Sequence, residues 1–384
     1  MNSGNIRRQS KGSWQLKFDI SKDPLTGKRR TRYATFKGSK KDAQAELTFL
    51  INESNRGTYI DPTKMTTAGY LKYWLENYAR AGASARTLER WTEIIEKHLI
   101  PALGSIFLKD LSPVHIQQCY THALKDGRRD GKGGLAALTV KHHHAVLFQA
   151  LKQAVGWQIL IRNPADAVKP PKVEHKEIEF LTKLELAELL KSTMGTPLYT
   201  PLLLKATTGM RRGELLALRA SDLDFDRGTL TVNQSLEETQ KGLRFKPPKT
   251  KKGRRLITLP TLTISALKKH MVQRQENQLS MGLGRNTNML VFALPDGEPW
   301  SPRIFSQRFK RHVTRLGFKP VTLHGLRHTH ISHLLMDGVH VKVVSERVGH
   351  SNVSMTLDRY SHVIPNLQED AAKIVDSQLR NLLQ

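Results

Sequence analysis

A stiff, charged segment near the middle of the chain interrupts the regular patterns on both sides of it. Residues 163–176 contain Asn163-Pro164 and Lys169-Pro170-Pro171-Lys172 and show no helical periodicity. Proline fixes φ and lacks an N–H group, so such a run connects elements rather than forming one. The 384 residues are enough for two or three domains, each with its own core. The segment therefore predicts a domain boundary.

The first sixty residues are strongly basic and carry a strand pattern. Residues 14–20 and 30–36 alternate apolar and polar side chains around a turn with Pro and Gly, which predicts two strands. Ser39 is the candidate N-cap of a helix that reaches Asn55, with Ala43 and Leu47 on one face. We expect a small sheet backed by one helix. Its Lys and Arg side chains are either a solvated charged face or contacts to a nucleic-acid backbone; the candidates are Arg30, Arg32 and Lys40.

After a predicted linker at residues 57–65, the pattern becomes helical. Apolar stripes predict two helices, the second ended by Pro101, and Ser112-Pro113 opens a third with Pro at the first helical position. A fourth helix is predicted over residues 139–157. We expect a bundle of helices with basic side chains available for phosphates, among them Arg86, Arg90 and Lys141.

Beyond the proline-rich segment the chain mixes helices with a short antiparallel sheet. Residues 223–232 predict a turn that enters a strand, and residues 242–259 predict two strands around a basic turn, which would form a hairpin. On such a hairpin Lys249 could protonate a leaving oxygen. Most basic hairpins only contact backbone phosphates, as Lys251 and Lys252 are expected to do.

Charge and composition exclude several classes of protein. The net charge of +27 favours a polyanionic partner, with nucleic acid first and an anionic membrane surface second. No apolar run is long enough to cross a bilayer, and the polar, basic N-terminus is not a secretory signal. Cys119 is the only cysteine, so an intramolecular disulfide is impossible and a reducing, intracellular location is expected.

Two further clusters carry chemistry. Arg211 follows Gly209 at a predicted helix start, where a guanidinium can hold phosphate oxygens beside the helix dipole; the alternative is a surface salt bridge with Glu214. His324 and Arg327 lie three residues apart on one helix face. The neighbouring His328, His330 and His333 suggest zinc, but no HExxH motif is present, so we expect no metal.

His350 is predicted at a turn between two helices, and Tyr360 one short helix later. Taken alone, a tyrosine at this spacing is a residue at the edge of the core. The ordered set changes that interpretation, because it resembles the tyrosine recombinase family of site-specific integrases of phages and conjugative transposons. Over residues 178–365 the matching positions are Arg211, Lys249, His324, Arg327, His350 and Tyr360.

The resemblance implies a multidomain fold, mainly α with small β-sheets. It implies an arm-type DNA-binding domain at residues 1–60, built from a three-stranded sheet and a helix. A helical, SAM-like core-binding bundle would follow at residues 64–168. A mixed α+β catalytic domain would occupy residues 175–384.

The resemblance also implies a mechanism without a cofactor or metal. Tyr360 would attack the scissile phosphate and form a 3′-phosphotyrosyl bond, with His324 as its proton acceptor or orienting partner. Arg211 and Arg327 would hold the non-bridging oxygens. Lys249 would protonate the departing 5′-oxygen, His350 would add a hydrogen bond to the phosphate, and Glu214 would fix the local geometry.

The implied partners are double-stranded DNA at core and arm sites, and three further copies of the chain in a tetramer on that DNA. An excision factor and a host DNA-bending protein are possible further partners, and no membrane is expected. The protein would act in the bacterial cytoplasm, at the nucleoid. Two alternatives stay open: a DNA-relaxing enzyme of the type IB topoisomerase class, and a non-catalytic DNA-binding regulator. Whether residues 363–384 pack on a neighbouring copy or on their own domain is also open.

Overall fold

This computed structural model describes residues 4–10, 12–20, 30–55, 65–174, 179–248, 251–282, 289–318, 321–361, 372–373 and 375–380. The chain divides into two compact units, Met1–Glu174 and His175–Gln384. The division lies inside the proline-rich segment. A finer division of the first unit into arm-type and core-binding domains stays a prediction.

The first unit begins with a three-stranded antiparallel sheet in the order β1-β2-β3. The strands are β1 (Gly4–Ser10), β2 (Ser13–Ile20) and β3 (Arg30–Lys37), followed by helix α1 (Lys40–Asn55). Ser39 caps α1 by accepting a hydrogen bond from the Asp42 amide at 3.2 Å. Leu16 and Phe18 of the sheet and Ala43 and Leu47 of the helix form a small buried core. The predicted sheet and helix are therefore confirmed.

A bundle of helices fills residues 65–174, with an aromatic and aliphatic core that includes Tyr70, Trp74 and Leu147. Its α-helical segments are α2 (Thr67–Trp74), α3 (Arg80–Gly82), α4 (Ala85–Ile94), α5 (Ile100–Leu103), α6 (Pro113–Asp126) and α7 (Ala137–Gly156). Ser112 caps α6 with Pro113 in its first turn, as predicted. Wider π turns at Leu75–Ala79 and Ile95–Leu99 join α2 to α3 and α4 to α5.

One prediction in this bundle is wrong: Pro101 does not end its helix, which continues through α5 to Leu103. The reason is the π turn just before it. The amide of Ile100 donates to the carbonyl of Ile95, five residues back, and Pro101 comes directly after this bond. Pro101 thus occupies the first turn of a new α-helical segment, where its missing N–H group costs little.

The second unit combines eight helices with two small sheets among its described residues. The helices are α8 (Lys183–Ser192), α9 (Tyr199–Thr208), α10 (Arg212–Leu216), α11 (Thr261–Ser280), α12 (Pro302–Arg315), α13 (Leu323–Met336), α14 (Val341–Val348) and α15 (Ser354–Tyr360). The strands are β4 (Leu223–Asp224), β5 (Thr229–Val232), β6 (Ser235–Thr239), β7 (Gly242–Lys246) and β8 (Arg255–Thr258). The mainly α fold with small sheets is confirmed.

The predicted hairpin over residues 242–259 is wrong, although both of its strands exist. β7 pairs with the preceding β6, whereas β8 pairs with β5 in a second sheet ordered β4-β5-β8. Gly242, at a φ of +105°, allows the tight turn that returns β7 onto β6. Pro247 and Pro248 then end β7, because proline cannot donate to a strand ladder. Lys249, the next residue in the sequence, is outside the described residues.

The buried core of the second unit lies around α9 and α13. Leu202 and Leu204 of α9 pack in the same cluster as Leu323 and Leu326 of α13. A smaller cluster joins α13, α14 and α15 through Ile331, Val344, Val348 and Tyr360. Through these two clusters α13 packs against α9 and against α14 and α15. None of the helices in the described part of the chain has the length and apolar character to cross a membrane.

Candidate active site

Arg211 stands at the junction between α9 and α10. Gly209 ends α9 at a φ of +65°, and a Cβ there would lie 2.7 Å from the ring of His330, so both backbone and space require glycine. The Arg211 side chain is 43% exposed. Its Nη1 donates to Glu214 at 2.8 Å and its Nη2 to the carbonyl of Gly349 at 2.9 Å. These two bonds point the guanidinium toward His350, the residue after Gly349.

Glu214 holds two arginines from a buried position. It is 3% exposed and accepts from the Arg211 amide at 2.9 Å and from Arg255 Nη2 at 2.8 Å. Burial alone would raise the pKa of Glu214, but Arg255 and Arg211 outweigh it and lower the pKa to about 2. Glu214 is therefore ionised at neutral pH and fixes Arg211, consistent with its predicted positioning role.

Arg255 is a residue of this site that the sequence analysis missed. Its Nε donates to the Arg347 carbonyl at 2.7 Å and its Nη1 to the Gly253 carbonyl at 3.1 Å, in addition to the bond with Glu214. One guanidinium thus joins three chain segments. A signal was present: in β8 Arg255 lies two residues before the buried Ile257, on the inward face of the strand.

Arg327 lies on α13, whose N-cap Thr322 accepts from the Gly325 amide at 2.9 Å. The side chain is 2% exposed, and its Nη1 donates to the Gly209 carbonyl at 2.7 Å. Its Nη2 is buried without a hydrogen-bond partner among the described residues. Burial and the nearby Arg211 lower the pKa of Arg327 to about 9. A buried, unpartnered N–H donor on a cation is well suited to an anionic oxygen.

His324 lies one turn before Arg327 on the same helix. Partial removal from water, with the cations Lys205 and Arg327 close by, lowers the pKa of His324 to about 4. The ring is therefore neutral at pH 7, with one nitrogen that can donate a hydrogen bond and one that can accept. Its edge-to-face contact is with His328, at 4.5 Å between ring centroids.

Tyr360 ends α15 and is 1% exposed. Its hydroxyl is hydrogen-bonded to Nδ1 of His328, not to His324 as the sequence analysis expected. Burial raises the pKa of Tyr360 to about 12, against the opposing effect of Arg327 and Arg359. The hydroxyl thus lies within the field of Arg327, but it is a neutral phenol. The histidine beside it was considered in the sequence only as a metal ligand.

His350 follows Gly349, which ends α14 at a φ of +70°. His350 Nδ1 is 2.8 Å from Thr356 Oγ1, which fixes the ring. Burial and the charges of Arg327 and Arg211 lower the pKa of His350 to about 3. His350 therefore faces both arginines as a neutral imidazole.

Five of the six predicted catalytic residues converge. Bonds through the Gly209 and Gly349 carbonyls connect Arg327, Arg211 and the segment of His350, and the ring contacts of His328 connect His324 with Tyr360. The sixth residue, Lys249, is outside the described part of the chain. The site thus combines two arginines with two neutral histidines and a neutral tyrosine that act on one another electrostatically, and this set of groups suits chemistry on a phosphate diester.

The remaining histidines of α13 have structural partners. His330 Nε2 accepts from Arg347 Nε at 3.3 Å, and His333 Nε2 is 2.7 Å from the Leu181 carbonyl. Across the described residues, no group of three or more His, Cys, Asp or Glu side chains is arranged to hold a metal ion.

The predicted DNA contacts are only partly described. Lys40, Arg86, Arg90, Lys141 and Lys252 are exposed, while the side chains of Arg30, Arg32 and Lys251 lie outside the described residues. Arg90 of α4 and Lys141 of α7 both lower the pKa of His142, after the larger effect of its burial. Basic side chains of two helices therefore lie close enough to act on the same imidazole ring.

Two family models match the chain. The model of the phage integrase family matches residues 176–366, and that of the phage integrase N-terminal SAM-like domain matches residues 66–124. The first match contains all six predicted catalytic residues: Arg211, Lys249, His324, Arg327, His350 and Tyr360.

Similar proteins carry related descriptions. A tyrosine recombinase XerC-like protein of Caldanaerobacter subterraneus subsp. tengcongensis is 27% identical over 88% of this chain and 90% of that protein. The ICEBs1 integrase of Bacillus subtilis is 25% identical over 98% of this chain and 100% of that protein. The Tn1549 transposon integrase, solved with circular intermediate DNA, has a similar fold, with a TM-score of 0.67 and 22% identity over 82% of this chain and 100% of that one. With the two family matches and the converging site, these similarities show that the chain belongs to the phage integrase family of tyrosine recombinases.

Proposed function

We propose that this protein is a site-specific DNA integrase that joins a mobile element to a chromosome through a 3′-phosphotyrosyl intermediate. The observation that carries the proposal is the convergence of Arg211, Arg327, His350 and Tyr360 in one site, with the tyrosine hydroxyl within the field of Arg327. No cofactor is invoked, because the fixed cations neutralise the charge of the phosphate themselves.

The two arginines bind the scissile phosphate. Arg327 Nη2 donates to one non-bridging oxygen, because it is buried and lacks another partner among the described residues. Arg211 is half exposed and supplies the second donor, held in place by Glu214. Negative charge grows on these oxygens during attack, so donors fixed in advance stabilise the transition state more than the ground state.

Tyr360 is the nucleophile. Its Oη attacks phosphorus, the bond to the 5′-oxygen breaks, and Lys249 donates a proton to that oxygen. His324 and His350 are neutral and contribute hydrogen bonds to the phosphate oxygens. The covalent bond keeps the energy of the broken linkage, so a 5′-hydroxyl of another strand can displace Tyr360 without ATP.

Strand exchange also suggests the assembly. Exchanging two duplexes breaks four strands, and each chain carries one Tyr360, so we propose a tetramer on DNA. The exposed basic side chains Arg86, Arg90 and Lys141 contact the core site, and the N-terminal sheet with Lys40 contacts an arm site. An excision factor and a host DNA-bending protein complete the proposed partners. The nucleoid of a bacterial cytoplasm is where this substrate is found.

A suicide substrate tests the chemistry. A nick beside the scissile phosphate lets the short fragment that carries the new 5′-hydroxyl diffuse away, so the protein–DNA adduct accumulates and migrates as a new band in a denaturing gel. We expect the adduct with the native chain and none with Tyr360→Phe. An adduct that persists in this variant would refute the assignment of the nucleophile.

Binding must be separated from catalysis. Arg211→Ala and Arg327→Ala are expected to lose the adduct and to keep most of the DNA affinity in a mobility-shift assay. Equal loss of binding in both variants would reduce these residues to a positioning role. Relaxation of plasmids that lack a recombination site would instead favour a topoisomerase, and full biological function with Tyr360 replaced would favour a DNA-binding regulator.

A further inference from the structure

We propose that His328 is an additional catalytic residue, whose Nδ1 accepts the phenolic proton as Tyr360 attacks the phosphate. The inference rests on the proposed recombinase chemistry and names the base that this chemistry needs. Its ground is the direct hydrogen bond between His328 Nδ1 and the Tyr360 hydroxyl. No other residue of the described chain is hydrogen-bonded to that hydroxyl.

The protonation states agree with this direction of transfer. Tyr360, with a pKa of about 12, carries the proton, and His328 is neutral, because burial and its charged neighbours lower its pKa to about 4. A neutral ring with a free Nδ1 lone pair carries its hydrogen on Nε2. The phenol therefore donates and His328 accepts.

The groups that face His328 come from three helices. His324 and Arg327 lie on α13, Arg359 on α15 and Lys205 on α9, and each of them disfavours a second proton on His328. A bound phosphate diester brings a negative charge into this cluster. DNA binding thus makes His328 a stronger base at the point where a base is needed.

The packing restricts both rings. Tyr360 is buried in the cluster that Ile331, Val344 and Val348 form between α13 and α14. His328 also makes an edge-to-face contact with His324. A donor and acceptor restrained in this way need little reorganisation before transfer.

The complete step is balanced. The Oη–phosphorus bond forms while the phosphorus–O5′ bond breaks. The phenolic proton moves to His328 Nδ1, and a separate proton moves from Lys249 to O5′. In the reverse step, a 5′-hydroxyl of DNA attacks phosphorus and gives its proton to the neutral amine of Lys249. The phosphorus–Oη bond breaks, and His328 returns its proton to the departing phenolate.

The pH dependence of adduct formation tests the assignment with the full-length chain and a suicide DNA substrate. The native rate is expected to be nearly constant from pH 6 to 8, because His328 is already unprotonated. His328→Gln can accept a hydrogen bond but cannot take the proton, so we expect a rate at least about 100-fold lower at pH 7. Its rate should rise about tenfold per pH unit, since phenolate must then form in solution equilibrium.

Three controls make the outcome specific. His324→Gln, one turn away, should slow the reaction and keep the flat profile, and His333→Gln should keep the native rate. A substrate with sulfur in place of the 5′-bridging oxygen needs no acid, so it should rescue Lys249→Ala and leave His328→Gln slow. A flat profile for His328→Gln, or rescue by sulfur, would overturn the role of His328. Absence of any adduct with the native chain would instead overturn the proposed function.

Discussion

Replacing Glu214 by Gln should destabilise the second unit by about 3 kcal/mol. The magnitude follows from the fall in the pKa of Glu214 from 4.5 to about 2, because each unit corresponds to about 1.4 kcal/mol. Removing one partner of a buried ion pair typically costs about 3–5 kcal/mol, and the half-exposed Arg211 favours the lower end. Gln keeps the shape but leaves Arg255 without its counter-charge.

Hydrogen exchange measured by mass spectrometry is the appropriate assay, because it reports local opening of a segment. Amides in residues 205–218 should exchange about 100-fold faster in Glu214→Gln, which is the rate equivalent of the predicted loss. Glu185→Gln is the matched control. Glu185 occupies the same capping position at the start of α8 but is only partly buried, and it accepts from the Thr182 amide at 2.7 Å. The Glu185→Gln variant should lose about 1 kcal/mol or less of its free energy of unfolding.

The pH dependence has a definite sign. A carboxyl whose folded pKa is depressed stabilises the protein above its unfolded pKa, and this stabilisation disappears as the pH falls toward the folded value. The difference between the native chain and Glu214→Gln should therefore be constant from pH 7 to 5.5. It should lose more than half of its size by about pH 3. If the two chains differ in free energy of unfolding by less than 1 kcal/mol at pH 7, or by an amount that does not change with pH, the reasoning is refuted.

Three other predictions concern charge and capping. The buried Lys205 Nζ donates to the Met210 carbonyl at 2.6 Å. Burial and the nearby Arg327 lower the pKa of Lys205 from 10.5 to about 7. The unfolded chain then binds the extra proton between pH 7 and 10.5, so unfolding by urea should show stability rising over that range, less steeply in Lys205→Met. For the bundle, replacing Arg90 and Lys141 together by Ala should weaken DNA binding uniformly across sequences and reduce the slope of log affinity against log salt by about 2; an unchanged slope would remove them from the interface. Ser112→Ala should cost about 1 kcal/mol in urea unfolding and leave adduct formation unchanged; a slower reaction would contradict a purely local role.

Local signals in the chain were sufficient for most of the elements. Ser39, Ser112 and Thr322 each cap the helix that they were expected to start, since capping depends on a side chain and an amide three residues away. Where a local rule failed, a neighbouring element was the cause. Pro101 remained inside a helix because a π turn precedes it, and β7 and β8 separated because each had a different partner strand.

The sequence by itself determined which side chains are available for the chemistry and on which helix each lies. His324 and Arg327 share a face because three residues is nearly one turn, and Gly349 with His350 marks the end of a helix wherever α14 is packed. The hydrogen-bond partner of the Tyr360 hydroxyl could not be predicted in this way. His324 lies one turn before Arg327, and His328 directly follows it. Spacing along the helix therefore could not decide which of the two histidines bonds to Tyr360. The packing of α15 against α13 and α14 places the Tyr360 hydroxyl beside His328. The packing of β8 against α14 places Arg255 within hydrogen-bonding distance of Glu214. Contacts between elements distant in the chain depend on how cores fill space, which helical periodicity does not encode.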